Sequence, residues 1–382
     1  MPTRRQMLTG AAAVASATLL PSTIPAIAET DSPTAATAKK ETIRTPATMA
    51  TRTRAGRAPM SAAQRMDFVG LKFDRAVSKA GAIRFRTGDS VGDWQALELS
   101  SHGRDDKPAD SATELLRAAP GTTGYELDLP DGVDDVDVVA IDTTTGPMRS
   151  RYAIPFVVLP GYDAAPGTKF YSRAGWGADE SLRFGPDGTN LFSDEFYPVQ
   201  TLTVHHTAEA INSDPNADRK AAVRGIYRYQ AVDREFGDIG YNVIIDPEGN
   251  AYEGKHSGDG PESTLFPIFD SVPLRGVDTK AVTAAHVLDF NSGNIGICLL
   301  GDFTDKNPTA AALETLVRML TALCSLCDLD PLGSVKYVNP VDGSSRDTST
   351  IVRHRDLAAT ECPGNTFAPN FSSIPQRVAA RL

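Results

Sequence analysis

Two stretches of this chain carry different hydrophobic patterns, and their order restricts the folds that the chain can adopt. In the first stretch, from about residue 66 to residue 158, short runs rich in Val, Ile, Phe and Tyr alternate with turns containing Gly, Pro and Asp, a pattern typical of strands. The six runs are DFVGLKF, AIRFRT, WQALEL, YELDL, VDVVAID and YAIPFVVL. Six short strands in a segment of this length predict a β-sandwich or a small barrel.

The second stretch, residues 165–382, alternates strand and helix patterns. TLTVHHTA and NIGICLL read as strands, and YNVIID and AYEGK form a hairpin that turns at Gly249 and Asn250. Helices are predicted over residues 217–235, in the segment that opens at Pro308, and from Ile374 to Leu382. We therefore predict an α/β fold with a mixed central β-sheet flanked by helices, preceded by a small all-β, sandwich-like domain.

Residues 1–28 have the layout of an export signal. Arg4 and Arg5 precede an apolar stretch from about Leu8 to Leu20, and Ala26-Ile27-Ala28 offers a cleavage site. The paired arginines resemble a twin-arginine signal. The apolar stretch is too short to cross a bilayer of about 30 Å as a helix, although an uncleaved anchor is the alternative. We expect an exported protein, extracellular or associated with the cell wall, with no membrane span after signal cleavage.

The remaining segments complete the expected domain organisation. Residues 29–64 contain few large apolar side chains and are predicted to be a flexible linker. The β-rich domain is expected over residues 65–160, and the α/β domain over residues 165–382 with a long irregular insertion at residues 256–285. A net charge of −10 argues against general nucleic-acid binding.

The β-rich domain offers no catalytic spacing. Its histidine, His102, lies in a polar loop, and we expect it to be exposed and without a functional role. Binding to an envelope glycan or to a partner protein, and a plain spacer role, are equally compatible with this domain.

Three residues of the α/β domain have the chemistry of a catalytic zinc site. His205 and His206 are consecutive in a strand and point to opposite faces, with His205 on the more polar face. Downstream, His354 and Cys362 lie eight positions apart. Two imidazoles and a thiolate make a three-ligand zinc site with an open fourth position. By residue type alone, a structural strand histidine and a buried apolar cysteine remain alternatives.

Five stretches appear in the order found in peptidoglycan-recognition-type (type 2) N-acetylmuramoyl-L-alanine amidases. They are RAGWGADES, TVHHTA, GDIGYNVIIDPEGNAYEGK, AAHVLDFNSGNIGICLLGDF and RHRDLAATECPG. The resemblance covers residues 168–382 and looks closest to secreted actinobacterial members with an N-terminal β-rich domain. It implies one zinc ion per chain, peptidoglycan as partner, the zinc ligands His205, His354 and Cys362, and Tyr241 as a catalytic residue.

The resemblance also implies weaker roles for other residues. Thr360 occupies a position where phage-type relatives have lysine, and its hydroxyl is expected to hydrogen-bond the charge that develops during catalysis. His286 matches a histidine that lines the family's cleft. Candidate substrate contacts further include Trp176, Asn294 and His206, although packing is the favoured role for Trp176 and His206.

The implied reaction is hydrolysis of the amide between the lactyl group of N-acetylmuramic acid and L-alanine, in cell-wall remodelling or daughter-cell separation. One alternative is a non-catalytic peptidoglycan-binding protein that uses the same groove. Another is a cysteine hydrolase that uses Cys362 with His354 and needs no metal. Cys298, Cys324 and Cys327 are expected to be buried as small apolar side chains, with a disulfide formed after export as the alternative.

Overall fold

The computed structural model describes residues 39–157, 159, 161–209, 211, 214–258 and 279–382. The predicted export signal, residues 1–28, and most of the predicted insertion, residues 256–285, lie outside the described residues. The described part of that insertion includes a strand, Lys280–Val282, which corrects the expectation of irregular structure there.

Two antiparallel five-stranded sheets form the N-terminal region. The first contains β3 (Met60–Ser61), β10 (Gly124–Asp128), β5 (Ala82–Thr87) and β6 (Ser90–Val91), with β7 (Gln95–Ala96) also paired to β5. The second contains β2 (Met49–Gly56), β11 (Asp135–Asp142), β4 (Phe68–Phe73) and β8 (Ser111–Ala112), with β9 (Leu116–Arg117) also paired to β4. Ile83 and Phe85 of the first sheet share one buried core with Leu71 and Val138 of the second. The prediction of an all-β, sandwich-like region is confirmed.

The sandwich begins earlier in the chain than the sequence indicated. β1 (Glu41–Pro46) pairs with β12 (Met148–Ala153), and β2 pairs with β11 along its full length. The prediction of a flexible linker over residues 29–64 is therefore wrong for the described strands. These strands need few apolar residues of their own, because β11 contributes buried Val and Ile side chains while β2 supplies backbone hydrogen bonds.

A mixed six-stranded sheet forms the centre of the second region. In spatial order its strands are β13 (Phe170–Tyr171), β17 (Ala251–Glu253), β16 (Val243–Ile245), β19 (Asn294–Leu299), β15 (Thr201–His206) and β22 (Ile351–Arg353). β16, β19, β15 and β22 run parallel, and β17 is antiparallel to β16. Two smaller pairs accompany this sheet, β14 (Phe196–Pro198) with β18 (Lys280–Val282) and β20 (Ser334–Val338) with β21 (Ser345–Ser349).

Helices cover both faces of the central sheet. They are α1 (Arg173–Trp176), α2 (Arg219–Arg228), α3 (Ala310–Cys327), α4 (His354–Leu357), α5 (Phe367–Asn370) and α6 (Ser373–Ala379). α3 and α6 pack on the face that carries Leu202 and Val204, and α2 packs on the opposite face near Ile244 and Cys298. The predicted fold class, a mixed α/β sheet preceded by an all-β region, is confirmed.

Helix α3 is long and apolar enough to cross a membrane, and it is the one helix of the described residues for which this holds. Thr309 caps its start by accepting a hydrogen bond from the backbone of Ala312. Leu316, Leu320 and Leu323 belong to the core beneath the sheet. Since most of the helix is buried, its length and composition are weak support for a membrane span.

The sandwich and the central sheet share a core. Phe68, Val139 and Ile141 of the sandwich lie in the same buried cluster as Ile226 of α2. The helix continues into a π-helical turn, in which the Tyr229 hydroxyl donates to the backbone oxygen of Thr113 at 3.0 Å. This packing places the loop between β7 and β8 beside the end of strand β15.

Candidate metal centre

Parallel strand pairing brings two of the predicted ligands together. β15 and β22 are neighbours, and Val204 is in register with Arg353. The residues that follow, His205 and His354, therefore emerge at the same end of the sheet, with ring centroids 4.5 Å apart. His205 lies on the face opposite Leu202 and Val204, as strand alternation predicts.

The turn after α4 brings Cys362 to the same place. The backbone and side-chain nitrogens of Arg355 donate to the Cys362 carbonyl at 3.1 and 3.2 Å, which folds the segment back onto the sheet. The Cys362 thiol accepts from the His206 backbone at 3.3 Å, and its Sγ lies 3.9 Å from Nδ1 of His205.

His286 determines which nitrogen of His205 is available. Nε2 of His286 lies 3.1 Å from the backbone oxygen of Asn294, which can only accept, so this nitrogen carries a proton. Nδ1 of His286 therefore accepts from Nε2 of His205 at 3.0 Å. That leaves the lone pair of His205 on Nδ1, the atom that faces Cys362. Such a partner behind a ligand is typical of metal-binding histidines.

The donor atoms fit a zinc ion. Nδ1 of His354 is buried and has no hydrogen-bond partner, which is costly unless a cation takes the lone pair. Burial, reinforced by neighbouring histidines, lowers the pKa of His205 and His354 well below the usual value, so both rings are neutral, as metal binding requires. The 3.9 Å between Sγ and Nδ1 is close to the roughly 3.6 Å expected across a tetrahedral zinc ion.

Burial also opposes ionisation of the thiol. It raises the pKa of Cys362 well above the ordinary value, although the His206 backbone acts in the other direction. Without a cation this residue is therefore a neutral thiol, which argues against its use as a free nucleophile.

His102 also belongs to this cluster, and the prediction that it is an exposed bystander is wrong. The residue is 5% exposed, and its ring stacks on His354 with centroids 4.9 Å apart. One ring nitrogen of each of His102, His205 and His354 lies within 4.8 Å of the others. The polar neighbours of His102 suggested exposure, but the loop is buried by packing against the second region, which no local pattern encodes.

Glu114 is a second residue that the sequence reading missed. Its Oε1 lies 3.0 Å from Nδ1 of His102. Burial acts to raise the pKa of Glu114, but His102 and Arg234 outweigh it and hold the pKa at about 2. Glu114 is therefore a carboxylate that accepts a hydrogen bond from Nδ1–H of His102.

Tyr241 borders the centre just before β16. Its hydroxyl lies 3.5 Å from Nε2 of His102, and its ring centroid lies 5.6 Å from that of His205. Burial raises the pKa of Tyr241 well above the ordinary value, and the Cys298 thiol adds to this effect. The hydroxyl thus keeps its proton and acts as a hydrogen-bond donor.

Other predicted residues are engaged in packing around the centre. Trp176 is fully buried and donates its indole N–H to the Glu253 backbone at 2.8 Å. Asn294 accepts from the Thr203 hydroxyl at 2.9 Å, and the His206 ring lies on the opposite face of the sheet against Phe303. Their substrate contacts stay predictions.

Thr360 lies close to Cys362, and its hydroxyl accepts from the Cys362 backbone at 3.2 Å. Cys298, Cys324 and Cys327 are unpaired and buried, as expected for small apolar side chains, and Cys362 is also unpaired and buried. Apart from Cys362, Cys298 is the cysteine that neighbours the centre, since it is in register with His205 across the β15–β19 pair.

Glu209, four residues after His205, makes folding stability depend on pH. It is 0% exposed, neither carboxyl oxygen has a hydrogen-bond partner, and burial raises its pKa to about 8 despite Arg117 and Arg219. The unfolded chain releases this proton near pH 4.3, so stability falls between there and pH 8 by about 1.4 kcal/mol per pH unit.

We expect the Glu209→Gln variant to lack this contribution. Urea denaturation should show that the variant gains stability relative to the wild type when the pH is raised from 5 to 8. Glu235→Gln, which changes an exposed carboxylate, is the control and should show no such gain. An equal difference between Glu209→Gln and wild type at both pH values would contradict the raised pKa.

Comparison with known proteins shows that part of this chain matches a known family. Residues 195–365 match the family described as N-acetylmuramoyl-L-alanine amidase. The N-acetylmuramoyl-L-alanine amidase of Homo sapiens is 29% identical over 183 residues, 48% of this chain and 25% of the human protein. Peptidoglycan-recognition protein SC2 of Drosophila simulans is 27% identical over 220 residues, 58% of this chain and 94% of that protein.

Among solved structures, Drosophila PGRP-LB wild-type is 23% identical and aligns with a TM-score of 0.36, covering 54% of this chain and 94% of that one. The present chain thus spans a quarter of the length of the human relative and nearly all of both Drosophila proteins.

Proposed function

We propose that this protein is a zinc-dependent amidase, because residues 195–365 match the N-acetylmuramoyl-L-alanine amidase family. It hydrolyses the amide between the lactyl group of N-acetylmuramic acid and L-alanine of the peptidoglycan stem. The observation that carries this proposal is the buried set of donors on His205, His354 and Cys362, in which Nδ1 of His354 has no other partner. The human relative supports this proposal, because that protein is named N-acetylmuramoyl-L-alanine amidase.

Each residue of the centre has a different role in the proposed reaction. Zinc, when bound by His205, His354 and Cys362, supplies a Lewis acid that polarises the scissile carbonyl and activates water near neutral pH. His286 keeps the lone pair of His205 on Nδ1. Tyr241 retains its proton and donates a hydrogen bond to the oxygen that gains negative charge. The Thr360 hydroxyl is placed beside Cys362 to contribute a second donor.

We further propose that the protein is exported and acts on the cell wall, as a secreted actinobacterial member of the family. The arrangement of residues 1–28 as an export signal supports the first part. The second part is supported by the β-sandwich that precedes the amidase region.

Digestion of purified peptidoglycan tests the proposed activity. The protein should release stem peptides that begin with L-alanine and leave glycan strands with intact lactyl groups, both detected by mass spectrometry. Removal of metal with EDTA should abolish the release, and added zinc should restore it. Full activity after metal removal would exclude the zinc mechanism and favour the cysteine hydrolase.

A non-catalytic peptidoglycan-binding protein is the second candidate, because His102 covers the centre in this structure. It predicts that the protein sediments with peptidoglycan and releases no stem peptides at any metal concentration.

A further inference from the structure

The centre contains one more donor than a catalytic zinc site uses. Catalytic zinc is held by three protein ligands and keeps a fourth position for water or substrate, whereas four protein ligands close the site. Such a site would use His205, His354 and Cys362, whose Sγ lies 3.9 Å from Nδ1 of His205. His102 brings a further ring nitrogen from the sandwich, and this nitrogen lies within 4.8 Å of ring nitrogens of His205 and His354.

His102 is oriented as metal ligands are. Its Nδ1 lies 3.0 Å from the partly buried Glu114 carboxylate and 3.3 Å from the Ser100 hydroxyl. A carboxylate behind an imidazole fixes the tautomer and aims the other nitrogen at the metal. Here that other nitrogen is Nε2, which lies 3.5 Å from the Tyr241 hydroxyl.

The loop that carries His102, residues 97–110 between β7 and β8, is fixed to the amidase region. We call it the cap loop. Arg104 donates to the backbone oxygens of Leu191 at 2.6 Å and Phe236 at 2.8 Å, and its guanidinium lies over the Phe192 ring. Asp105 accepts from the Asp289 backbone at 2.8 Å.

Arg234 holds the cap loop from the other side. It donates to the His102 backbone oxygen at 2.9 Å and forms an ion pair with Asp110 at 2.6 Å. These contacts hold His102 in place whether or not a metal is present, so the position of the ring is built into the fold.

We propose that His102 is a fourth metal ligand, which occupies the position that the amidase reaction needs, and that the described structure is the latent form of the enzyme. This inference rests on the proposed function. Substrate reaches the centre only when the cap loop leaves it and takes His102 along. The β-sandwich is therefore an inhibitory domain whose displacement activates the enzyme, rather than a spacer.

The test compares the full chain with three variants, His102→Ala, Asp105→Asn and the control His256→Gln. His256 also has a carboxylate partner, Asp194 at 2.9 Å, but it does not belong to the histidine cluster. Metal affinity is measured by competition with a chelator, coordination by the visible absorption of cobalt-substituted protein, and the rate by release of stem peptides.

Loss of His102 should weaken metal binding by at least about 10-fold, shift the cobalt bands as water replaces a nitrogen, and raise the rate at saturating zinc. Asp105→Asn keeps His102 but loosens the cap loop, so it should raise the rate and change the cobalt bands in the same direction. The Asp105→Asn variant also tests the proposal if His102→Ala does not fold, as judged by thermal melting. The control should match the wild type in all three measurements.

An unchanged metal affinity and cobalt spectrum in His102→Ala would overturn the proposal. So would a changed spectrum with an unchanged rate, because His102 would then be a ligand that does not block the reaction. If metal affinity falls and no variant releases stem peptides, the ligand assignment stands, while the latent enzyme falls together with the proposed amidase function.

Discussion

Replacing Cys362 by alanine should prevent retention of the proposed zinc ion and abolish the proposed amidase activity. The variant keeps His205 and His354 but loses the one donor that carries a negative charge when it binds a cation. Since loss of a residue that merely supports a ligand costs about 10–100-fold in metal affinity or activity, loss of a ligand itself should exceed 100-fold. The measurement is zinc content after dialysis, together with release of stem peptides from peptidoglycan.

Cys324→Ala is the matched control, because Cys324 is equally buried but lies in α3 within the core beneath the sheet. This variant should keep its zinc and its activity. Zinc retained at full stoichiometry in Cys362→Ala would show that His102, His205 and His354 suffice to hold the metal. Activity lost in that variant while the wild type resists chelators would instead favour the cysteine hydrolase.

Replacing Trp176 by alanine should destabilise the fold by about 3–5 kcal/mol, which is typical of removing a large buried aromatic side chain. Trp176 packs edge-on against Tyr227 at 5.6 Å, and its N–H bonds the Glu253 backbone, so the variant leaves both a cavity and an unpaired oxygen. Urea denaturation measures the loss, and Trp176→Phe should recover part of it.

Trp94, the other tryptophan of the chain, supplies the control. It is 45% exposed and its ring lies beneath the Arg84 guanidinium, so Trp94→Ala should cost no more than about 1 kcal/mol. If Trp176→Ala left stability unchanged and weakened binding to peptidoglycan, Trp176 would be a substrate contact rather than a packing residue.

Residues that act within one element or one sheet register were predictable from the sequence. His205 was placed on the correct face because side chains alternate along a strand, and this holds in any strand. The approach of His354 and Cys362 to His205 came from the resemblance to a family. The structure explains it by the parallel pairing of β15 with β22 and by the Arg355 contacts to Cys362.

The predictions from the sequence were wrong where the structure of a segment depends on residues that are distant in the chain. Residues 41–56 were predicted to be a linker because they lack apolar side chains, yet they form strands that pair with β11 and β12. His102 was predicted to be exposed because its neighbours are polar. Those neighbours are the residues that contact the second region, for example Arg104 and Asp105.

The sequence by itself determined the order of the two regions, the mixed α/β class and the types of residue that can hold zinc, because these depend on periodicity and side-chain chemistry. The tertiary structure alone decided that the β-sandwich brings a third histidine, His102, to the centre. His102 is separated from His205 by about a hundred residues, and only the packing of the sandwich on α2 and the central sheet joins them. A contact of that kind depends on two complete surfaces, and no local pattern records it.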